Sequence, residues 1–279
     1  MKVLVTGANG QLGYDVAKQL QKQNIECFGV TRKDFDIVNF EATEKFITNY
    51  MPNVVIHCAA YTAVDKAEDE QGLCHLVNVS ATENIAQICK KIDAKMVYIS
   101  TDYVFDGTQD GFYEVDDKPN PVNVYGRTKL LGEQAVQKML EKYFIVRISW
   151  VFGEHGNNFV KTMLRLGKEH KELNVVADQY GSPTHTADLA PLLIEMIKTD
   201  KYGIYHATNE GVCSWAEFAE EIFKVAGMNV KVNHIATDEY PTKAKRPLNS
   251  RLSKEKLKCN FRELKHWRNA LKEYIKIEC

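Results

Sequence analysis

Tyr125 and Lys129 stand four residues apart in Val124-Tyr-Gly-Arg-Thr-Lys129, a spacing that stacks a phenol and an ammonium on one helix face. The positive charge favours the phenolate and predicts a tyrosine pKa lowered toward neutrality. Such a phenol gives or takes a proton near pH 7. Tyr-x-x-x-Lys also arises by chance in soluble helices, so the pair draws its meaning from what lies upstream. Val5-Thr-Gly-Ala-Asn-Gly-Gln-Leu-Gly13 places Gly7, Gly10 and Gly13 directly after an apolar run and at the start of a helical pattern, with Gln11 and Leu12 inside the turn. Absent Cβ atoms let the chain turn sharply and let a pyrophosphate approach the amides at a helix N-terminus. The first gap is one residue longer than in the usual dinucleotide fingerprint. A glycine-lined turn without a ligand is the plainer alternative.

The end of the second apolar run bears on cofactor choice. An acidic residue there would bind the adenosine ribose hydroxyls and favour NAD. This chain reads Val30-Thr31-Arg32-Lys33. Arg32 and Lys33 suit a 2′-phosphate, with Thr31 as a hydrogen-bond donor, although two solvated charges on a loop would look the same. NADPH is therefore the expected cofactor and NADH the alternative. Asp36 and Ile37 are placed to meet the adenine edge, or to make an ordinary turn.

These groups need a frame. Short runs rich in Val, Ile or aromatics (Lys2–Val5, Glu26–Val30, Val54–His57, Met96–Ile99, Phe144–Ile148) alternate with amphipathic stretches (Gln11–Gln23, Glu41–Tyr50, Gly72–Lys91, Val124–Lys142). That alternation predicts right-handed βαβ crossovers and a parallel sheet covered on both faces. The expected fold is α/β: a Rossmann-like, doubly wound parallel sheet with a smaller, discontinuous C-terminal substrate domain. Ala187–Thr199 and Gly203–Ala207 read as a helix and a strand returning to the sheet. Residues 1–150 plus about 186–208 would form the nucleotide-binding domain, and about 151–185 plus 209–279 the substrate domain. Ser214 is the expected N-cap of a helix over Trp215–Ala226. Polar Asp238–Arg251, broken by Pro241 and Pro247, predicts an ordered loop or a mobile flap, and Leu264–Ile277 a final helix.

Composition excludes several function classes. With 36 basic and 37 acidic side chains, the net charge of −1 leaves no electrostatic footprint for nucleic acid or an anionic membrane. The N-terminal apolar run is too short for a signal segment or a membrane span. The seven cysteines (Cys27, Cys58, Cys74, Cys89, Cys213, Cys259, Cys279) are scattered and never form Cys-x-x-Cys. Reduced thiols in a cytoplasmic protein are expected, and no metal site. His57 reads as a satisfied strand-end residue. The charges of Asp65, Lys66, Glu68, Asp69 and Glu70 read as a solvated face.

Together these segments resemble the extended short-chain dehydrogenase/reductases, and more narrowly the dTDP-4-dehydrorhamnose reductases. The resemblance spans nearly the whole chain. It includes Cys58-Ala-Ala-Tyr-Thr-Ala-Val-Asp-Lys-Ala-Glu68, Ser100-Thr-Asp-Tyr-Val-Phe-Asp-Gly107 and Arg147-Ile-Ser-Trp-Val-Phe-Gly153. Gly156-Asn-Asn-Phe159, Asp178-Gln-Tyr-Gly-Ser-Pro-Thr184 and Arg246-Pro-Leu-Asn-Ser-Arg251 continue it. It implies NAD(P)H-dependent reduction of the 4-keto group of dTDP-4-dehydro-L-rhamnose, in a protein that is often a homodimer. Ala59, Ala60 and Tyr61 would line the cofactor. A third catalytic hydroxyl is implied at the end of strand four, where Thr101 stands 24 residues before Tyr125. Ser100, facing the other way on the strand, should enter the packing. Tyr125 would act as general acid, Thr101 would bind the same carbonyl oxygen, and Lys129 would serve both the phenol and the nicotinamide ribose. Asp102 and Trp150 are implied as substrate contacts, with simple interdomain packing the plainer alternative for Trp150, and Arg251 in the polar loop suits the diphosphate.

Two other readings stay open. The 4,6-dehydratases resemble a Thr-Asp-Glu pattern whose carboxylate serves elimination, where this chain carries Tyr103, and the serine-rich segment of the epimerases is absent. The methionine adenosyltransferase β-subunit looks like the same reductases yet serves as a regulatory partner.

Overall fold

The computed structural model describes residues 1–278, so Cys279 lies outside the described residues. From the N-terminus come β1 (Lys2–Thr6), α1 (Gln11–Lys22), β2 (Glu26–Val30), α2 (Phe40–Tyr50), β3 (Val54–His57), and the short α3 (Val64–Ala67) and α4 (Gln71–His75). A π-helical turn, Leu76–Ser80, leads into α5 (Ala81–Lys91), followed by β4 (Lys95–Thr101), α6 (Val124–Met139) and β5 (Tyr143–Ile148). The later chain forms β6 (Val151–Phe152), α7 (Phe159–Glu169), β7 (Glu172–Val176), β8 (Tyr180–Gly181), β9 (Thr184–His185) and α8 (Thr186–Ile197). It ends with β10 (Gly203–His206), β11 (Cys213–Ser214), α9 (Trp215–Val225), β12 (Lys231–Ile235), α10 (Glu255–Asn260) and α11 (Trp267–Glu278).

Six strands form one sheet in the order β10-β5-β4-β3-β1-β2, every neighbour parallel. Strand geometry explains why both faces are apolar. In β1, Val3 and Val5 enter one core with Leu12 and Val16 of α1 and Leu189 and Leu193 of α8. Leu4, between them, enters the opposite core with Ile47 of α2, Ile85 of α5 and Val136 of α6. Alternation along a strand sends successive side chains to opposite faces, and helices cover both. The expected return of Gly203–Ala207 is realised as β10, paired with β5 in the register Ile204 to Ile145.

A separate core gathers α7, α9 and α11 around Phe152, Phe218, Phe223, Trp267 and Tyr274. Ser214 caps α9 with a reciprocal pair, its Oγ accepting from Glu217 N and Glu217 Oε2 accepting from Ser214 N. The sequence reading missed α7 and the parallel β7–β12 pair, whose strands are joined across some sixty residues. Helix α6 stops at Met139, earlier than expected, because Leu140 turns extended and buries itself beneath the sheet. Helix α11 opens at Trp267 rather than Leu264.

Two devices hold the parts that matter for a site. The Arg147 guanidinium, on β5, forms a two-point pair with Glu133 of α6 (Nε to Oε1 2.9 Å, Nη2 to Oε2 2.8 Å), both buried. Ser100 Oγ donates to the same carboxylate at 2.5 Å, so it faces the packing as strand alternation requires. The pair locks α6 against β4 and β5. The polar segment ending at Arg251 is tied down. Arg246 pairs with Asp65 of α3, Lys245 O accepts from Asn123 Nδ2, and Asn249 Nδ2 donates to Gln109 O and Gly111 O. In the structure the segment lies as a strap held by these contacts.

Candidate active site

The strand ends β1, β3, β4 and β5 open into one cavity of about 710 Å³. This is where ligands bind in open parallel sheets, beyond the carboxyl ends of the strands. At its near end lies the glycine turn. Gly7 has φ +68°, and a Cβ there would sit 2.8 Å from Ala59 N. Gly10 is the N-cap of α1 and supplies no side-chain cap, so the first amides of the helix face the cavity with their dipole unopposed. A Cβ on Gly13 would run into the Gly7 carbonyl. Space that only glycine leaves open, ending at free helix amides, fits a dinucleotide pyrophosphate.

The end beside β2, expected to take the adenine, is lined by Thr31, Arg32, Phe35, Asp36 and Ile37. Thr31 is already engaged: its N and Oγ1 both donate to Asp34 Oδ2, at 2.8 and 3.0 Å. Arg32 is exposed at the rim. Asp36 accepts from Val38 N at 3.2 Å, so it makes the ordinary turn and lines the cavity as well. Ala59 and Ala60 form the facing wall.

At the far end Thr101, Tyr125 and Lys129 share one wall. Thr101 is the last residue of β4, paired with Ile148 of β5. Tyr125 and Lys129 project from the first two turns of α6, whose N-terminus Asn123 caps by accepting from Gly126 N at 2.7 Å. The expected electrostatics do not hold. Burial pushes the Tyr125 phenol well above its usual range, and the Thr101 hydroxyl within hydrogen-bonding reach offsets only part of this. Burial also pulls Lys129 down to about 7, against the Glu133 carboxylate that favours its charge. Two groups desolvated in the same pocket lose more from burial than either gains from a neighbour. The ammonium rests 4.0 Å from the centre of the Tyr98 ring.

Asp102 is buried and accepts from Thr101 Oγ1 at 2.9 Å and from Ser250 Oγ at 2.5 Å. Burial raises it to about 6. Tyr103 follows, edge-on to Tyr125 at 5.8 Å between ring centres, with its phenol also pushed up by burial. A tyrosine protonated at neutral pH is no base for elimination. Trp150 adopts φ +50°, unusual for a side chain of its size, and stacks on Trp215 at 3.7 Å. Gly181 makes room, since a Cβ there would lie 2.7 Å from the indole Cε2.

Three expected contacts do not line the cavity. Gly13 packs against the Gly7 carbonyl and serves the closeness of helix to strand. Tyr61 turns outward and donates to Glu70 at 2.7 Å. Arg251 is bound by Asn249 Oδ1, which accepts its Nε at 2.8 Å. His57 is satisfied between Thr6 Oγ1 at 2.7 Å and Thr82 Oγ1 at 3.2 Å. Burial lowers it to about 3, so it is neutral. Sequence reasoning missed Trp215 and Asn157, both on the cavity wall. Asn157 lay inside a quoted motif, but nothing in the sequence set Trp215 apart from a core tryptophan. Among the described residues no group of three or more His, Cys, Asp or Glu side chains is arranged to hold a metal. No helix among them is long and apolar enough to cross a membrane.

The model of the RmlD substrate binding domain family matches residues 1–278. A dTDP-4-dehydrorhamnose reductase of Aggregatibacter actinomycetemcomitans is 42% identical over 285 residues, covering 97% of each chain. The crystal structure of a dTDP-4-dehydrorhamnose reductase from Clostridium acetobutylicum superposes with TM-score 0.97 at 46% identity, covering 100% of this chain and 99% of that one. That of Bacillus anthracis, in complex with NADP, gives TM-score 0.96 at 44% identity over 100% of both chains. At TM-score 0.84 but 18% identity, a UDP-glucose 4-epimerase of Thermus thermophilus shares the fold alone. A family model running through the whole described chain, with dTDP-4-dehydrorhamnose reductases matched over nearly their full length, makes this chain a member of the dTDP-4-dehydrorhamnose reductase family.

Proposed function

We propose that this chain reduces the 4-keto group of dTDP-4-dehydro-L-rhamnose to dTDP-L-rhamnose with NADPH. One observation carries the reading: Thr101, Tyr125 and Lys129 meet on one wall of a cavity that runs unbroken to the glycine turn. The substrate named here is that of the relatives' reaction, and the NADP-bound relative supports the cofactor. When bound, the reduced nicotinamide supplies the hydride. Tyr125 is protonated at neutral pH and so carries the proton that the reaction needs. It gives its proton to the carbonyl oxygen as the carbon accepts hydride. Thr101 lies beside that oxygen and limits the build-up of alkoxide charge when its proton is free to point there. Lys129 holds the nicotinamide ribose from the floor of the pocket. Gly7, Gly10, Gln11 and Leu12 take the pyrophosphate, and Arg32 the 2′-phosphate. Trp150, with Trp215 behind it, covers the sugar, and the sheet and the separate core divide the work between cofactor and substrate. The free thiols of the described cysteines suit a cytoplasmic setting.

Purified chain mixed with NADPH and dTDP-4-dehydro-L-rhamnose should bleach the nicotinamide absorbance and yield dTDP-L-rhamnose. NADPH binding without turnover would reject the catalytic reading and favour a regulatory one.

A further inference from the structure

Asp102 has both carboxylate oxygens occupied by hydroxyls, one from its chain neighbour Thr101 and one from Ser250, 148 residues further on. Thr101 Oγ1 donates to Oδ1 at 2.9 Å and Ser250 Oγ to Oδ2 at 2.5 Å. All three residues are at least 95% buried, with exposures of 5% for Thr101 and 3% for Asp102 and Ser250. Ser250 belongs to the strap, and its place is fixed from several sides. Ser250 N donates to Tyr180 O at 2.7 Å, its neighbour Asn249 holds two carbonyls, and Arg246 is anchored on Asp65.

We propose that Ser250 is a positioning residue which, through Asp102, decides which way the Thr101 hydroxyl points, and so makes the seating of the strap part of the catalytic geometry. This rests on the reading of Thr101 as a contact of the substrate carbonyl oxygen.

The argument is one of donor counting. A hydroxyl has one proton, and an ionised carboxylate only accepts. While Asp102 is charged, the Thr101 proton is committed to Oδ1. The Thr101 lone pairs then face Tyr103 N, at 3.2 Å, and the Tyr125 phenol. Thr101 is then an acceptor that orients the phenol. Once Asp102 is protonated it can donate to Thr101, whose own proton is released toward the cavity and the carbonyl oxygen. Ser250 acts on this balance because its hydrogen bond favours the charged carboxylate, whereas burial favours the neutral acid. Burial outweighs the hydrogen bonds, and the charged and neutral forms are equally populated near pH 6. The other titratable groups facing Asp102 are the Tyr103 and Tyr125 phenols, both protonated throughout the neutral range, with the Arg246–Asp65 pair beyond Tyr103. Lys129 lies on the same cavity wall.

Two readouts test this on the full-length protein. Infrared titration of the cofactor-free chain should show a protonated-carboxyl band that appears below about pH 6. In Ser250→Ala that band should persist about one to two pH units higher, the size of one lost hydrogen bond to a charged group. The difference between the two titrations assigns the band, and its loss in Asp102→Asn checks the assignment where that variant folds. The pH profile of kcat/KM, which reports free-enzyme groups, should rise on the acid side of the same inflection and move with it in Ser250→Ala. A purely structural Ser250 would lower activity at every pH without displacing the inflection. A band that does not move in Ser250→Ala overturns the proposal, and so does a band that moves while kcat/KM stays put. If the parent fails to reduce the dTDP-sugar yet the band moves, the coupling of Ser250 to Asp102 stands and the functional reading falls instead.

Discussion

Lys129 holds its ammonium 4.0 Å from the centre of the Tyr98 ring, buried in the floor of the cavity. Its attraction to that ring does not repay the loss of water, and its pKa falls from 10.5 to about 7. The lysine of an unfolded chain keeps its ordinary value, so between these pH values the unfolded state binds more protons and stability rises with pH. Buried Cys58 and Cys89, raised from 9.0 to about 12, act in the opposite direction only above pH 9. The melting temperature of the cofactor-free protein should therefore climb from pH 7 to pH 9, and the climb should flatten in Lys129→Met. Parallel slopes in the two proteins would contradict a neutral buried lysine.

Tyr125→Phe keeps the ring and removes the proposed proton donor. NADPH binding should survive, while kcat falls by about 10²–10⁴, the usual range for a general acid. Thr101→Val should lower kcat with little change in NADPH affinity, and Lys129→Met should damage both. Steady-state kinetics together with a fluorescence titration of NADPH separate the three. Their effects should be strongly non-additive, since the groups act on one transition state. Full activity in Tyr125→Phe would sink the mechanism.

Arg32 stands at the rim of the adenine end, where Thr31 is already bound to Asp34. Arg32→Ala should weaken NADPH while sparing NADH. Losing one charge-assisted contact of this kind corresponds to roughly 1.5–3 kcal/mol at most. Dissociation constants for both cofactors decide the matter, and equal losses would remove Arg32 from the 2′-phosphate.

Glu133 neutralises a guanidinium that is almost wholly inside the protein. Glu133→Ala strands Arg147, and breaking a buried pair from one side costs about 3–5 kcal/mol. Urea unfolding should report a loss of that order. Activity should fall with it, because the pair holds the helix that carries Tyr125 and Lys129. A loss below about 1 kcal/mol would place the pair among the expendable ones.

Trp215→Ala removes the partner against which Trp150 stacks at 3.7 Å. The stack itself contributes about 0.5–1.5 kcal/mol. If Trp150 covers the sugar, KM for the dTDP-sugar should rise more than kcat falls, with NADPH affinity unchanged. An effect on NADPH alone would place the pair over the cofactor.

Much of this protein is legible in sequence because local rules carry it. The burial of Val3 and Val5 on one face of the sheet and of Leu4 on the other follows from strand geometry, and three glycines at the end of that strand specify a tight turn. The i, i+4 spacing places Tyr125 and Lys129 on one face, and strand alternation turns the Ser100 hydroxyl into the packing, onto Glu133, while Thr101 reaches the cavity. What the sequence could not supply was environment. The sign of the Tyr125 shift depends on how deeply phenol and ammonium are buried together, and burial is a sum over every element packed around them. Arg251 and Tyr61 carried suitable chemistry, yet Asn249, two residues before Arg251, and Glu70 engage their side chains in the conformation the folded chain adopts. Trp215 and Ser250 reach the site from 65 and 148 residues beyond Trp150 and Asp102, and no local pattern marks them. Periodicity and spacing are written in neighbouring residues; desolvation and long-range partnership exist only once the chain has closed on itself.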